Sequence, residues 1–95
     1  MRNILVIGAG RSSSSLITYL LNKSTSENLL ITVADVSLAF AESKIQQHKN
    51  GLAITLDISN KNERQAAVQK ADIVVSMLPA RLHFKVAKDC LKFGK

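Results

Sequence analysis

Gly8 and Gly10, in the run Ile4-Leu5-Val6-Ile7-Gly8-Ala9-Gly10-Arg11-Ser12-Ser13, are spaced for phosphate chemistry. Neither glycine carries a Cβ, so the backbone can turn tightly and come close to a bound group. A helix beginning after such a turn offers free N–H groups and the positive end of its dipole to an anion. The pattern is G-x-G-x-x-S, with Ser13 where the dinucleotide fingerprint has Gly or Ala. Arg11 can reach a phosphate from inside the turn. Ser12–Ser15 supply an N-cap, and one of these hydroxyls is placed to touch a pyrophosphate.

Further polar residues stand where apolar runs end. Asp35 closes Leu29–Ala34 and lies 25 positions after Gly10, near the ~20-residue spacing of an acid that hydrogen-bonds a ribose. A carboxylate there accepts from both ribose hydroxyls of NAD and repels the 2′-phosphate of NADP. At ~4 Å and an effective dielectric of about 20, each pair of unit charges contributes roughly 4 kcal/mol of repulsion. NAD is therefore the expected cofactor, with NADP as the alternative through Arg11. Asp57, after Leu52–Leu56, is placed for the adenine end. Ser76-Met77-Leu78-Pro79-Ala80 is placed beneath the nicotinamide ribose. His83 fits a structural role better than a catalytic one. His48 reads as solvated at a helix end and Cys90 as a small core residue. No metal cluster and no Ser/His/Asp arrangement is visible, and no catalytic residue is assigned.

These positions need strands and helices to hold them. Ile4–Ile7, Leu29–Ala34, Leu52–Leu56 and Ile73–Met77 read as strands buried on both faces. Between them fall helices. The first carries Leu16, Ile17, Leu20 and Leu21 on one face, and Asn22–Asn28 reads as a polar connector. The second spans Leu38–His48 with Ser37 as N-cap and Gly51 as a left-handed cap. The third spans Lys61–Lys70 behind an Asn60/Glu63 capping box, and the fourth runs from Arg81 to Phe93 with Gly94 as C-cap. That last helix would bury Leu82, Val86, Ala87, Cys90 and Leu91. The order βαβαβαβα implies an α/β fold, a doubly wound parallel sheet of Rossmann type with about four βα units. Strands one to three should lie 3-2-1, with the fourth on the far side of the first, so that the crevice above strands one and four is the ligand site.

Ninety-five residues, 46% of them hydrophobic and 4% aromatic, allow one small domain with an aliphatic core. No apolar stretch approaches the ~20 residues of a membrane span, and the single cysteine excludes an internal disulfide. A cytoplasmic protein with no membrane partner is expected. Of the net charge of +6, most comes from Arg81, Lys85, Lys88, Lys92 and Lys95, a stripe along one helical face. Without interleaved aromatics it reads as a solvated surface, and no nucleic-acid partner is expected.

The opening glycine segment, Thr55-Leu56-Asp57-Ile58-Ser59 and, most specifically, Val74-Val75-Ser76-Met77-Leu78-Pro79-Ala80-x-x-His83-x-x-Val86-Ala87-x-x-Cys90 resemble the saccharopine dehydrogenase (saccharopine reductase) family over essentially the whole chain. The resemblance implies an oxidoreductase of lysine metabolism acting on the C–N bond of a saccharopine-type secondary amine. It implies cofactor roles for Gly8, Gly10, Asp57, Leu78 and Pro79. Residues 1–95 would then be the N-terminal part of a dinucleotide-binding domain, the small amino-acid-type substrate being held by a second domain. NADP-using members tend to carry a basic residue and a neighbouring hydroxyl after the second strand, whereas this chain has Asp35-Val36-Ser37. The alternative is a regulatory nucleotide-sensing domain of the same fold without catalysis. An unpaired edge on the fourth strand makes self-association an expectation.

Overall fold

The computed structural model describes residues 2–8, 14–78 and 80–95, with the backbone alone for residues 80–83. Strand β1 (Arg2–Ile7) is followed by helix α1 (Ser14–Glu27), β2 (Leu29–Asp35), α2 (Leu38–Ile45), β3 (Gly51–Thr55), α3 (Lys61–Lys70), β4 (Ile73–Ser76) and α4 (Ala80–Phe93). The strands are all parallel in the order β3-β2-β1-β4. Ile4 of β1 sits opposite Ile31 of β2 on one side and Ile73 of β4 on the other. This is the expected Rossmann-like arrangement, and β1 lies at its centre because Ile4–Ile7 is apolar on both faces of the pleat.

Alternation along the strands divides the described core in two. Ile4, Val6, Ile31 and Val33 face α1 and α2, meeting Ile17, Leu21, Ala41 and Ile45. Leu5, Ile7 and Ala34 face the opposite way, toward Leu56, Ala71 and Val86. Leu5, Val6 and Ile7 are each at most 2% exposed, which accounts for an unbroken hydrophobic run rather than an alternating one.

Local structure departs from the sequence-based expectation in four places. Helix α1 continues through Glu27, absorbing most of the polar connector, because buried Ser24 donates to the Leu21 carbonyl (2.6 Å) and accepts from Asn50 Nδ2 (3.1 Å). Helix α2 stops at Ile45 rather than His48, with Gln46 and Gln47 both left-handed (φ 49° and 59°). His48 is half-buried, its Nδ1 accepting from the Asn50 N–H at 3.0 Å, and is not simply solvated. Gly51 opens β3 instead of capping α2: a Cβ there would stand 2.9 Å from Ile45 Cβ, so glycine permits close packing rather than a left-handed turn. Leu91 is 84% exposed, while Asp89 is buried against Arg64. The buried stripe of α4 therefore runs through Val86, Asp89 and half-buried Cys90.

Other terminal signals act as expected. Ser37 Oγ accepts from the Phe40 N–H (3.2 Å) and Asn60 Oδ1 from the Glu63 N–H (3.1 Å). Gly94 takes φ +70° and ends α4.

Candidate functional site

Each strand delivers its last residue to the same end of the sheet, and backbone hydrogen bonds extend the alignment beyond the strands. The Gly8 N–H donates to the Ala34 carbonyl (2.8 Å), Met77 N–H to Ile7 (2.9 Å) and Leu56 N–H to Asp35 (2.9 Å). The segments after β1, β2, β3 and β4 are thereby held side by side. Between them lies a cleft of about 310 Å³ lined by Gly8, Asp35, Val36, Asp57, Ile58 and Leu78, among others. A hollow of equal volume on the α3 side of the sheet, bordered by Leu5, Leu52, Ile54 and Lys70, contains no glycine turn.

Gly8, Asp35, Asp57 and Leu78, separate in the chain, thus meet at one cleft. Gly10, Arg11, Ser12, Ser13 and Pro79 lie outside the described residues, as does the His83 side chain. Gly8 has φ +94°, a conformation that glycine adopts without the strain a side chain would bring, and its open side faces Met77 and Leu78 at 3.5 Å. Asp35 Oδ1 accepts from the Ser37 N–H at 2.9 Å, so the carboxylate shapes the turn that leads into α2.

Asp57 is organised similarly. Its Oδ1 accepts from the Ser59 hydroxyl (2.6 Å) and the Ser59 N–H (3.0 Å). These two bonds, in that order, hold its carboxyl below the ordinary value, against a small opposing effect of desolvation and with a smaller pull from Lys85. Asp57 is thus a fixed anion at neutral pH. A carboxylate suits the exocyclic amine of an adenine, because it is an acceptor only. Cys90 behaves oppositely: burial, then the charge of Asp89, pushes its thiol up, so it is a poor nucleophile.

Three side-chain details were not read from the sequence, in which Ser76 figured only as part of the segment placed beneath the nicotinamide ribose. Ser76 Oγ, at the end of β4, is buried with no hydrogen-bond partner, a polar atom available beside the cleft strands. Ser59 orders Asp57. Lys44 reaches from α2 to Ser14, its Nζ 2.7 Å from Ser14 Oγ at the start of α1. No local signal marks that meeting, since the two residues are 30 positions apart. The i, i+4 pair Phe40/Lys44 was the available hint.

A left-handed glycine, two hydrogen-bonded carboxylates and a buried hydroxyl without a hydrogen-bond partner stand at the strand carboxyl ends, where a parallel α/β sheet takes its ligands. Among the described residues, no group of His, Cys, Asp and Glu could hold a metal ion, and no helix is long and apolar enough to cross a membrane.

Comparison with known proteins identifies the kind of domain. Residues 4–95 match the family model described as the saccharopine dehydrogenase NADP binding domain. The chain is 33% identical, over all 95 residues, to saccharopine dehydrogenase [NADP(+), L-glutamate-forming] of Schizosaccharomyces pombe, and spans 20% of that protein. Its fold superimposes with a TM-score of 0.88 on apo saccharopine dehydrogenase (L-Glu forming) from Saccharomyces cerevisiae, at 24% identity, covering 100% of this chain and 20% of the yeast one. A short-chain dehydrogenase/reductase from Veillonella parvula in complex with NADP gives a TM-score of 0.73 at 21% identity, covering 98% of this chain and 43% of that one. The chain therefore spans about one fifth of the length of its saccharopine dehydrogenase relatives.

Proposed function

Because the chain belongs to the saccharopine dehydrogenase NADP binding domain family, we propose that it is the cofactor-binding part of an oxidoreductase of lysine metabolism, acting on the C–N bond of a saccharopine-type secondary amine. The observation that carries the reading is the convergence of Gly8, Asp35, Asp57 and Leu78 on one cleft at the carboxyl ends of β1–β4. In this reading residues 1–95 hold the cofactor and a further domain holds the amino-acid-type substrate.

The roles of the residues follow from their chemistry. Gly8 lets the backbone approach the pyrophosphate. Asp35 and its turn meet the ribose, Asp57 meets the adenine amine, and Leu78 supplies apolar surface beneath the nicotinamide end. The nicotinamide, when bound, supplies or takes up the hydride exchanged with the C–N bond. Of the two dinucleotides, Asp35 taken alone favours NAD(H), while the family designation favours NADP(H). We take NADP(H) as the ligand.

Titration of the chain with NADPH and with NADH, followed by nicotinamide fluorescence or calorimetry, tests the binding half. Saturable binding of NADPH is expected, abolished by Gly8→Val, whose β-branched side chain cannot adopt the backbone conformation at that position. No binding of either dinucleotide overturns the reading. The reaction itself is tested on the intact enzyme by NADP-dependent oxidation of saccharopine, and its absence removes the substrate assignment while leaving the cofactor one.

A further inference from the structure

The turn after β3 supplies three of the residues that line the cleft, Asp57, Ile58 and Ser59. The bonds from Ser59 to Asp57, and from the Asn60 N–H to the Asp57 carbonyl (3.0 Å), shape this turn without tying it to α4. Arg64 makes that tie. From the start of α3 its Nη1 donates to the Ile58 carbonyl at 2.8 Å, and its Nε donates to Asp89 Oδ2 on α4. Gln65 Nε2 adds a second bond to Asp89, at Oδ1 (3.2 Å). Arg64 and Asp89 are 8% and 3% exposed, so the link is built into the packing of α3 on α4 rather than laid over the surface.

The link bridges the two ends of the cleft. In the order β3-β2-β1-β4, the turn after β3 and Leu78 after β4 belong to the two outer strands, and the sheet connects them through β2 and β1. Helix α4 (Ala80–Phe93) starts two residues after Leu78 and carries Asp89. Ile58 and Leu78 pack on the same apolar cluster as Val86 of α4, so link and cleft lie on one face of the sheet. Arginine suits the position, because its planar fork donates in two directions at once from a rigid group. Stability alone does not account for the charges. Desolvation offsets much of the attraction in a buried ion pair, and an apolar pair of similar volume would join the helices about as well. An apolar pair could not hold the Ile58 carbonyl.

From this arrangement we infer that Arg64, held by Asp89, is a positioning residue for the dinucleotide: by fixing the Ile58 carbonyl it sets the Asp57-Ile58-Ser59 turn against α4, and with it the width of the cleft on the adenosine side. The inference rests on the cofactor reading above and adds to it two residues that do not themselves line the cleft. Binding of the adenosine end is thereby coupled to the placement of α4.

The test compares the unmodified chain with two variants chosen to stay folded. Arg64→Met with Asp89→Leu removes both buried charges together, and Arg64→Lys keeps a cation against Asp89 while giving up the planar fork. Each is titrated below its own melting transition with NADPH, with ADP as the adenosine-side probe and with nicotinamide mononucleotide as the other half. NMR follows the Asp57 carboxyl as pH is lowered. Both variants should bind NADPH and ADP about tenfold more weakly, equivalent to ~1.4 kcal/mol, with nicotinamide mononucleotide changed less than about twofold. The Asp57 titration should move up toward the ordinary value of ~3.9, because a loosened turn gives up hydrogen bonds to the charged form. Parent-like NADPH affinity in either folded variant overturns the inference and leaves the cofactor reading standing. Weakened binding with an unchanged Asp57 titration, or equal losses for ADP and nicotinamide mononucleotide, would mean a general loosening and also overturn it. So would failure of both variants to fold, which makes the link a folding requirement. If the parent chain binds no dinucleotide, the cofactor reading itself fails and the positioning role falls with it.

Discussion

At the scale of single residues, the cleft is built from short, local hydrogen bonds that fix charges before any ligand arrives. Asp57 is the clearest case, with the Ser59 hydroxyl and N–H both on Oδ1. Because its folded value is lowered, the ionised form contributes stability that is complete above the ordinary carboxylate range. That contribution is lost as pH falls through the lowered value. Melting temperatures of the chain and of Asp57→Asn should therefore differ at pH ~6 and converge well below the unperturbed Asp value of ~3.9. A difference that stays constant across the acid range would show that the bonds to Ser59 do not depend on the charge. Asp57, exposed at the end of β3, was legible as a strand-end acid. Its dependence on Ser59 was not, since nothing in Asp-Ile-Ser distinguishes an ordered turn from a loose one.

At the scale of elements, α3 and α4 are tied by an ion pair that the charge pattern concealed. Arg64 Nε donates to Asp89 Oδ2, Arg64 also donates to the Ile58 carbonyl (2.8 Å), and Gln65 Nε2 donates to Asp89 Oδ1 (3.2 Å). The two charged side chains are only 10% and 4% exposed. Removing one partner of a buried pair strands the other charge, at a cost of about 3–5 kcal/mol. Asp89→Ala should accordingly lower the urea midpoint by a large fraction of a total stability that is only ~5–15 kcal/mol for a typical domain. Replacing both, as Arg64→Met with Asp89→Leu, should recover most of the loss. A double variant no better than the single would mean that the pair does more than satisfy itself. On a helical wheel Asp89 lay among lysines and Leu91 among core residues; the burial of one and exposure of the other depended on where α3 sits.

At the scale of the whole chain, β4 stands at one edge of the sheet and, among the described residues, pairs with β1 alone. Ile73 on this strand is 43% exposed, and Phe84 and Leu91, seven residues apart on one face of α4, are 65% and 84% exposed. An unpaired apolar strand edge is a template for another strand. The 95-residue chain should therefore associate with itself at micromolar concentration, and Ile73→Lys should reduce this, since an edge charge opposes pairing. Light scattering of a stable monomer over the same range would refute it. The basic residues Lys85, Lys88 and Lys92 line a separate, open depression with Lys61, so the charge of the last helix and the bare edge of the sheet are distinct surfaces.

Local sequence determined the fold class, the order of elements and the strand ends where ligand-facing residues stand. Each depends on near-neighbour patterns: apolar runs for doubly buried strands, Ser37 and Asn60 for helix starts, and Gly8 for a left-handed turn. That is why the parallel sheet and the grouping of Gly8, Asp35, Asp57 and Leu78 could be expected in advance. Tertiary structure alone decided which distant side chains meet. Lys44 reaches Ser14 across 30 positions, Arg64 reaches Asp89 across 25, and Gly51 is required by the proximity of Ile45. Such meetings depend on the relative placement of helices over the sheet, which small packing differences set. A one-dimensional charge or hydrophobicity pattern carries no record of them.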